Sequence, residues 1–199
     1  MVALPARLLQ DPAWIGPVVD TFFAVFLGFT LSMYLEHRRE TRETIRRRAM
    51  YLAALEVELE HNLDVLGDIQ ALCEASGRDG TMYEVHHLRS FFYSVLLKHV
   101  RGLRTVVYDG IMTGGFLGEL GSAVLTDALI RVYHAGTDLV LEAEASTHWL
   151  DRGLNEDEEH WSIRRRNIVA FIGRQAGDVR GLAERSIALV REERKKVDT

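Results

Sequence analysis

The side chains that could perform catalysis form no recognised catalytic pattern in this sequence. The histidines lack the HExxH spacing that holds zinc on a helix, and the single cysteine, Cys73, has no second cysteine for a zinc pair or a disulfide. His134 and Asp138 share a helix face, but a hydrogen bond explains that pair more simply than a metal ion. No glycine-rich loop is followed by the Lys-Ser/Thr pair that binds phosphate. We therefore predict a protein that is not an enzyme and that carries no metal or cofactor.

Three consecutive arginines, Arg164, Arg165 and Arg166, follow an acidic run at 156–159. No carboxylate of that run lies four residues before an arginine of the cluster, so the local helical ion pair is missing. One interpretation is a solvated helix face. The other is a docking site for an anionic ligand, which would make the 156–166 helix part of a membrane-anchored sensor or enzyme.

A stripe of small and polar residues runs through an otherwise apolar segment near the N-terminus. Its members recur at four-residue spacing and share one helix face: Asp20, Ala24, Gly28, Ser32 and Glu36. In lipid, small residues let helices approach closely and polar side chains bond across the interface. The stripe predicts self-association, with a pore as one outcome. Asp20 alternatively lies in the first helical turn, at the membrane interface.

The segment that contains this stripe is long enough to cross a bilayer. Residues 14–35 carry one charge, and roughly 20 apolar residues span the hydrocarbon layer. Trp14 and Tyr34 lie near the two ends, where amphipathic rings are enriched. A cleaved signal peptide would have its basic residues before the apolar run, and a buried core helix of a soluble protein would not need the arginine-rich exit.

The basic residues around the segment predict its orientation. Only Arg7 precedes it, whereas six arginines follow within 36–50: Arg38, Arg39, Arg42, Arg46, Arg47 and Arg48. The positive-inside rule places the N-terminus outside and the bulk of the chain in the cytoplasm. The six arginines are then expected to contact anionic lipid headgroups.

The remaining composition predicts an all-α protein. All three prolines lie before residue 18, so none interrupts a later helix. The net charge of −5 argues against a nucleic-acid partner. We predict a single N-terminal transmembrane helix that continues into a cytoplasmic helical bundle. The segments are an extracytoplasmic or interfacial segment at 1–13, the transmembrane helix at 14–35, an arginine-rich juxtamembrane helix at 36–50 and a cytoplasmic helical domain at 51–195.

Within the domain, the first helix is predicted to reach Ala75. Its apolar stripe includes Ile45, Leu52, Leu55, Leu59, Leu63, Leu66, Ile69 and Cys73, with Glu56, Glu58, Glu60 and Asp64 on the polar side. The stripe packs either on its own domain or on another copy. A turn at 77–80, a helix at 81–99, a glycine-interrupted region at 102–121 and helices at 122–149 and 156–195 complete the prediction.

Two groups of residues carry a family resemblance. The first is Tyr51, Leu52, Leu55, Glu58, Leu59 and Asn62, in the pattern YLxxLxxELxxN; the second is Gly115, Phe116, Leu117, Leu120, Leu129 and Tyr133. With the single span and the arginine-rich exit, they resemble an uncharacterised family of small bacterial inner-membrane proteins. The resemblance implies a bacterial inner membrane and no known activity. The architecture is also similar to that of small pore-forming effectors of bacterial antiviral systems.

These observations favour a homo-oligomeric single-span protein that forms a channel or permeabilises the membrane. Its cytoplasmic domain would assemble or gate the pore. The alternative is a membrane-tethered scaffold or adaptor that binds a protein partner and forms no pore. Both hypotheses name the lipid bilayer as a partner, and leakage from liposomes distinguishes them.

Overall fold

The chain is described by a computed structural model over residues 15–78, 95–152 and 158–198, with side chains at 20–75, 95–146, 160 and 163–197. Every regular element in these ranges is helical, so the prediction of an all-α protein is confirmed. The elements are α1 (Ile15–Arg78), α2 (95–100), α3 (Val106–Thr113), a 3-10 helix (Phe116–Leu120), α4 (Ala123–Arg152) and α5 (Glu158–Asp198).

Helix α1 runs for 64 residues without a break. This continuity follows from a sequence that has neither proline nor glycine between Thr30 and Leu66. The chain divides into two compact units, residues 1–46 and 47–199. Most of the predicted 81–99 helix lies outside the described residues, which resume with the helical turn of α2.

The core of the second unit is built from one face each of α1, α4 and α5. Its fully buried residues include Leu52, Leu55, Leu59 and Ile69 of α1, Leu125, Leu129 and Leu139 of α4, and Ile172 of α5. The α1 stripe therefore packs on its own domain from Leu52 onward, as one of the two alternatives predicted. Ile45, which belongs to the first unit, is 49% exposed.

The glycine-interrupted region contains a short helix, α3, followed by the 3-10 helix. Gly115 enters the 3-10 helix with a φ of 72°, and Gly121 leaves it with a φ of 108°. Both angles lie where a side chain is strained, which is why glycine is needed at these two turns. Helix α4 then starts on Ser122, whose hydroxyl accepts hydrogen bonds from the N–H groups of Val124 (3.2 Å) and Leu125 (3.4 Å).

Candidate functional site

Glu58, which the sequence pattern places on the polar side of α1, is only 4% exposed. Its carboxylate accepts hydrogen bonds from the backbone N–H groups of Val107 (2.7 Å) and Tyr108 (3.2 Å) and from the Tyr133 hydroxyl (2.6 Å). Those N–H groups lie in the first turn of α3, where no partner exists within the helix, and Thr105 makes no side-chain cap. The prediction that Glu58 lies on the polar side of α1, away from the packed face, is therefore wrong, because this carboxylate is buried and caps α3.

One turn further along α1, Asn62 binds both backbone polar groups of Arg104. Its Nδ2 donates to the Arg104 carbonyl (2.8 Å), and its Oδ1 accepts from the Arg104 N–H (2.7 Å). Nε2 of His61 lies 3.2 Å from the carbonyl oxygen of Gly102. The three α1 side chains Glu58, His61 and Asn62 form the α1 clamp. They satisfy backbone groups of residues 102–108 that would otherwise lack partners near the core.

Aromatic rings pack on both sides of the clamp. The Tyr133 ring stacks on Tyr108 with centroids 4.1 Å apart and an angle of 9°. Tyr51 contacts Phe116 at 5.4 Å between centroids, and the Arg47 guanidinium lies 5.2 Å from the Phe116 centroid. The two motif groups are thus in contact at two points, Tyr51 with Phe116 and Glu58 with Tyr133.

Glu58 accepts three hydrogen bonds and is buried, so most of its acceptor positions are occupied. Burial, followed by the hydrogen bond to Glu58, raises the pKa of Tyr133 far above its usual range, which keeps its hydroxyl a donor. Burial also raises the pKa of the Cys73 thiol to about 11, so this cysteine stays protonated at neutral pH. The arrangement positions the first turn of α3.

A second buried charge lies near the end of α5. Oε2 of Glu193 accepts from Nη2 of Arg48 (2.6 Å), and Oε1 accepts from Nζ of Lys196 (2.8 Å). The hydrogen bond from Lys196 lowers the pKa of Glu193, burial opposes this, and the charges of Lys196 and Arg48 lower it further. The Arg48 guanidinium lies directly against Gly121, so that a Cβ added there would overlap it.

Acidification is expected to weaken the domain through Glu193. Its pKa in the folded state is below the ordinary value of 4.5, so the folded protein binds fewer protons than the unfolded chain between these two values. The stabilisation is complete above pH 4.5 and is lost as the pH falls through the lowered folded-state value. Urea unfolding of the full-length protein in a mild detergent at pH 6 and at pH 3.5 should show a smaller acid loss for Glu193→Gln than for wild type. Asp138→Asn, at an exposed carboxylate, is the control that should keep the wild-type pH dependence.

The predicted assembly stripe lies on the first unit. The side chains of Asp20, Ala24, Gly28, Ser32 and Glu36 are all exposed within the chain. In the ranges that the structure describes, no helix combines the length and apolar character needed to span a bilayer. Trp14, with which the predicted span begins, and the side chains of 15–19 lie outside those ranges.

The six arginines after the apolar segment do not share one environment. Arg38, Arg39, Arg42 and Arg46 are exposed, and Arg39 forms a surface ion pair with Glu43 (2.9 Å). Arg47 and Arg48 are half-buried in the second unit. Arg47 lies 3.9 Å from Glu119, and Arg48 binds Glu193. The headgroup contact stays a prediction, and its accessible members are the first four.

The arginine cluster of α5 is also divided. Arg164 and Arg165 are half-buried, whereas Arg166 is exposed. Burial lowers the pKa of Arg165. Arg164 borders an open cleft of about 600 Å³ between α4 and α5, together with Arg174 and His160. One of the three arginines therefore borders this cleft. The binding of an anionic ligand by the cluster stays a prediction.

Comparison with known proteins gives no significant match: no family model fits the sequence, and no curated protein or solved structure matches the chain. Among the described residues, no group of three or more His, Cys, Asp or Glu side chains could hold a metal ion.

Three residues that organise the domain were not singled out from the sequence as a site. Glu58 and Asn62 were part of a motif without an assigned role, and Gly121 was one of several glycines in a broken region. The available signal was position: Glu58 and Asn62 are four residues apart, on the edge of a helix face that contains Leu55 and Leu59. Polar residues at such an edge often bond to a neighbouring element.

Proposed function

We propose that the protein is a single-span bacterial inner-membrane protein whose N-terminal helices associate in a homo-oligomer and form a channel or permeabilise the membrane. The observation that carries this proposal is the exposure of large apolar side chains along the first part of α1. Phe22 is 70% exposed, Phe29 64% and Leu27 62%. A continuous apolar surface of this kind is rarely left in water, so lipid or another helix is expected to cover it.

The apolar side chains point in most directions around the helix. Successive residues turn by ~100°, which spreads the exposed apolar side chains between 22 and 35 around the axis. They are Phe22, Phe23, Val25, Phe26, Leu27, Phe29, Leu31, Met33, Tyr34 and Leu35. Apolar side chains on most sides of a helix suit a bilayer better than a one-sided protein contact. The remaining sector contains Ala24, Gly28 and Ser32.

The polar groups within this segment also suit lipid. The Thr30 hydroxyl donates to the carbonyl of Phe26 at 2.7 Å, so its hydrogen bond is made within the helix. Hydrocarbon offers no partner for a hydroxyl, which makes this internal bond favourable there. The exposed arginines from Arg38 to Arg46 follow directly and would each gain ~1 kcal/mol near anionic headgroups.

The small-residue sector supports the assembly part of the proposal. A Cβ placed on Gly28 would have no neighbour within 4 Å, so a second helix has room to approach there. Asp20 lies two turns earlier, ~80° around the helix from Gly28, and would contribute a polar group near the outer end of a shared axis. The second unit, residues 47–199, would then assemble or gate the pore from the cytoplasmic side.

Reconstitution of the full-length protein into dye-loaded liposomes tests the channel. Wild type is expected to release the dye, and Gly28→Leu should reduce both the release and the oligomer because leucine fills the close-contact sector. Phe26→Leu is the matched control, since residue 26 points ~160° away from residue 28 on the helix and should keep both properties. Native mass spectrometry in detergent gives the subunit number.

The outcomes separate the two functions. A protein that floats with liposomes but releases no dye and stays a monomer would overturn the channel and support a tethered scaffold. A protein that does not float with liposomes would overturn the membrane placement itself. Equal leakage from wild type and Gly28→Leu would show that the small-residue sector does not form part of the pore.

A further inference from the structure

A partly open, mainly apolar cavity of about 210 Å³ lies inside the second unit, lined by residues of α1, α4, α5 and the connection between α2 and α3. Its apolar lining includes Leu59, Leu66, Val132, Val140, Val179 and Ala183. For comparison, an engineered apolar cavity of ~150 Å³ in another protein stays dry and binds benzene. The cavity in this domain is therefore large enough for a substituted aromatic ring or a short aliphatic chain.

Apart from Arg104, the polar side chains that line the cavity already have hydrogen-bond partners. Asn62 uses its amide on the backbone of Arg104. The Thr105 hydroxyl donates to Oδ2 of Asp109 (2.6 Å), and the Thr137 hydroxyl donates to the carbonyl of Tyr133 (2.9 Å). Ordered water needs two to four polar partners, which this lining does not offer. The interior therefore favours an apolar occupant over water.

Two residues of the lining, Gly136 and Arg104, indicate which kind of ligand the cavity can bind. A Cβ added to Gly136 of α4 would have no atom within 4 Å, so there is open space at this position. Glycine is less favourable than alanine within a helix, and its presence here keeps that space open. Arg104 is exposed, and its guanidinium has no hydrogen bond or ion pair with any residue that the structure describes. Arg104 belongs to the cavity lining, and a guanidinium carried by a lining residue is suited to pairing with a carboxylate.

We infer that this cavity binds a small amphipathic carboxylate, with its apolar body between α1, α4 and α5 and its carboxylate paired with Arg104. The apolar lining would exclude strongly polar metabolites, and the volume would exclude long lipid chains from complete burial. The inference is independent of the membrane proposal, because every residue it uses lies in the second unit.

The test uses 4-ethylbenzoate as the probe and 4-ethylbenzyl alcohol as its neutral counterpart, added to the purified full-length protein. Valine methyl resonances are followed by NMR. The side chains of Val132, Val140 and Val179 line the cavity, so their resonances report on a bound ligand. Val57 is 64% exposed, and its resonances report non-specific effects. We expect saturable shifts at the three cavity valines, no shift at Val57, and tighter binding of the carboxylate.

Variants separate the two parts of the site. Arg104→Gln should weaken 4-ethylbenzoate by about tenfold, the loss expected for one charge-assisted hydrogen bond, and leave the alcohol unchanged. Gly136→Leu should abolish binding of both probes, and Gly136→Ala, a smaller change in the same place, should weaken both. Unmoved cavity valines, or wild-type affinity in Gly136→Ala, would overturn the cavity as a ligand site. An unchanged carboxylate affinity in Arg104→Gln would overturn the carboxylate.

Discussion

Replacing Glu58 with alanine is expected to lower the free energy of unfolding by about 4 kcal/mol. The change leaves the N–H groups of Val107 and Tyr108 and the hydroxyl of Tyr133 without their acceptor in a buried place. Each unsatisfied buried group costs ~1–3 kcal/mol, and the first turn of α3 loses the negative charge that its dipole favours. Urea unfolding of the full-length protein in a mild detergent, followed by near-UV circular dichroism, measures the loss as a lower midpoint.

Two variants show whether this loss comes from the α1 clamp. Tyr133→Phe removes one of the three hydrogen bonds but keeps the ring that stacks on Tyr108, so it should cost about 1 kcal/mol. Glu60→Ala removes a glutamate from the exposed side of the same helix, where it pairs with Arg191 at 2.6 Å, and should cost less than ~1 kcal/mol. If Glu58→Ala cost no more than Glu60→Ala, the capping of α3 by Glu58 would contribute nothing to stability.

The burial of Glu58 shows which kind of contact sequence periodicity does not predict. Periodicity records which residues share a helix face, and it correctly identified the buried leucines from Leu52 to Leu66 and the uninterrupted course of α1. The acceptor role of Glu58 depends on donors 49, 50 and 75 residues away, brought close only by the packing of α3 and α4. No local pattern contains that information.

The six arginines after the apolar segment illustrate the same limit on charge patterns. A count of basic residues predicts orientation because it sums over a region. It does not separate Arg46, which is exposed, from Arg48 two residues later, which points to the opposite side of the helix and pairs with Glu193 at 2.6 Å. The spacing of the 20–36 stripe is likewise compatible with a sector that faces lipid and with one that faces another helix. The Gly28→Leu assembly experiment distinguishes these two alternatives.

A second large loss of stability, about 3 kcal/mol, is expected for Gly121→Ala. Gly121 has a φ of 108°, which strains any residue with a side chain. The added Cβ would also occupy the position of the Arg48 guanidinium. Displacing Arg48 separates it from Glu193, a carboxylate that is 6% exposed and that would keep only Lys196 as a partner. The same urea unfolding experiment measures the change.

Gly118→Ala is the matched control, because Gly118 lies in the same 3-10 helix but has no positive φ and no atom within 4 Å of an added Cβ. Its expected effect is within ~0.5 kcal/mol. The double variant Gly121→Ala with Arg48→Ala separates strain from displacement. If displacement of Arg48 causes part of the loss, the double variant will cost less than the sum of the two single changes; if the losses add, backbone strain at Gly121 accounts for its whole effect. A loss at Gly121 no larger than that at Gly118 would contradict both causes.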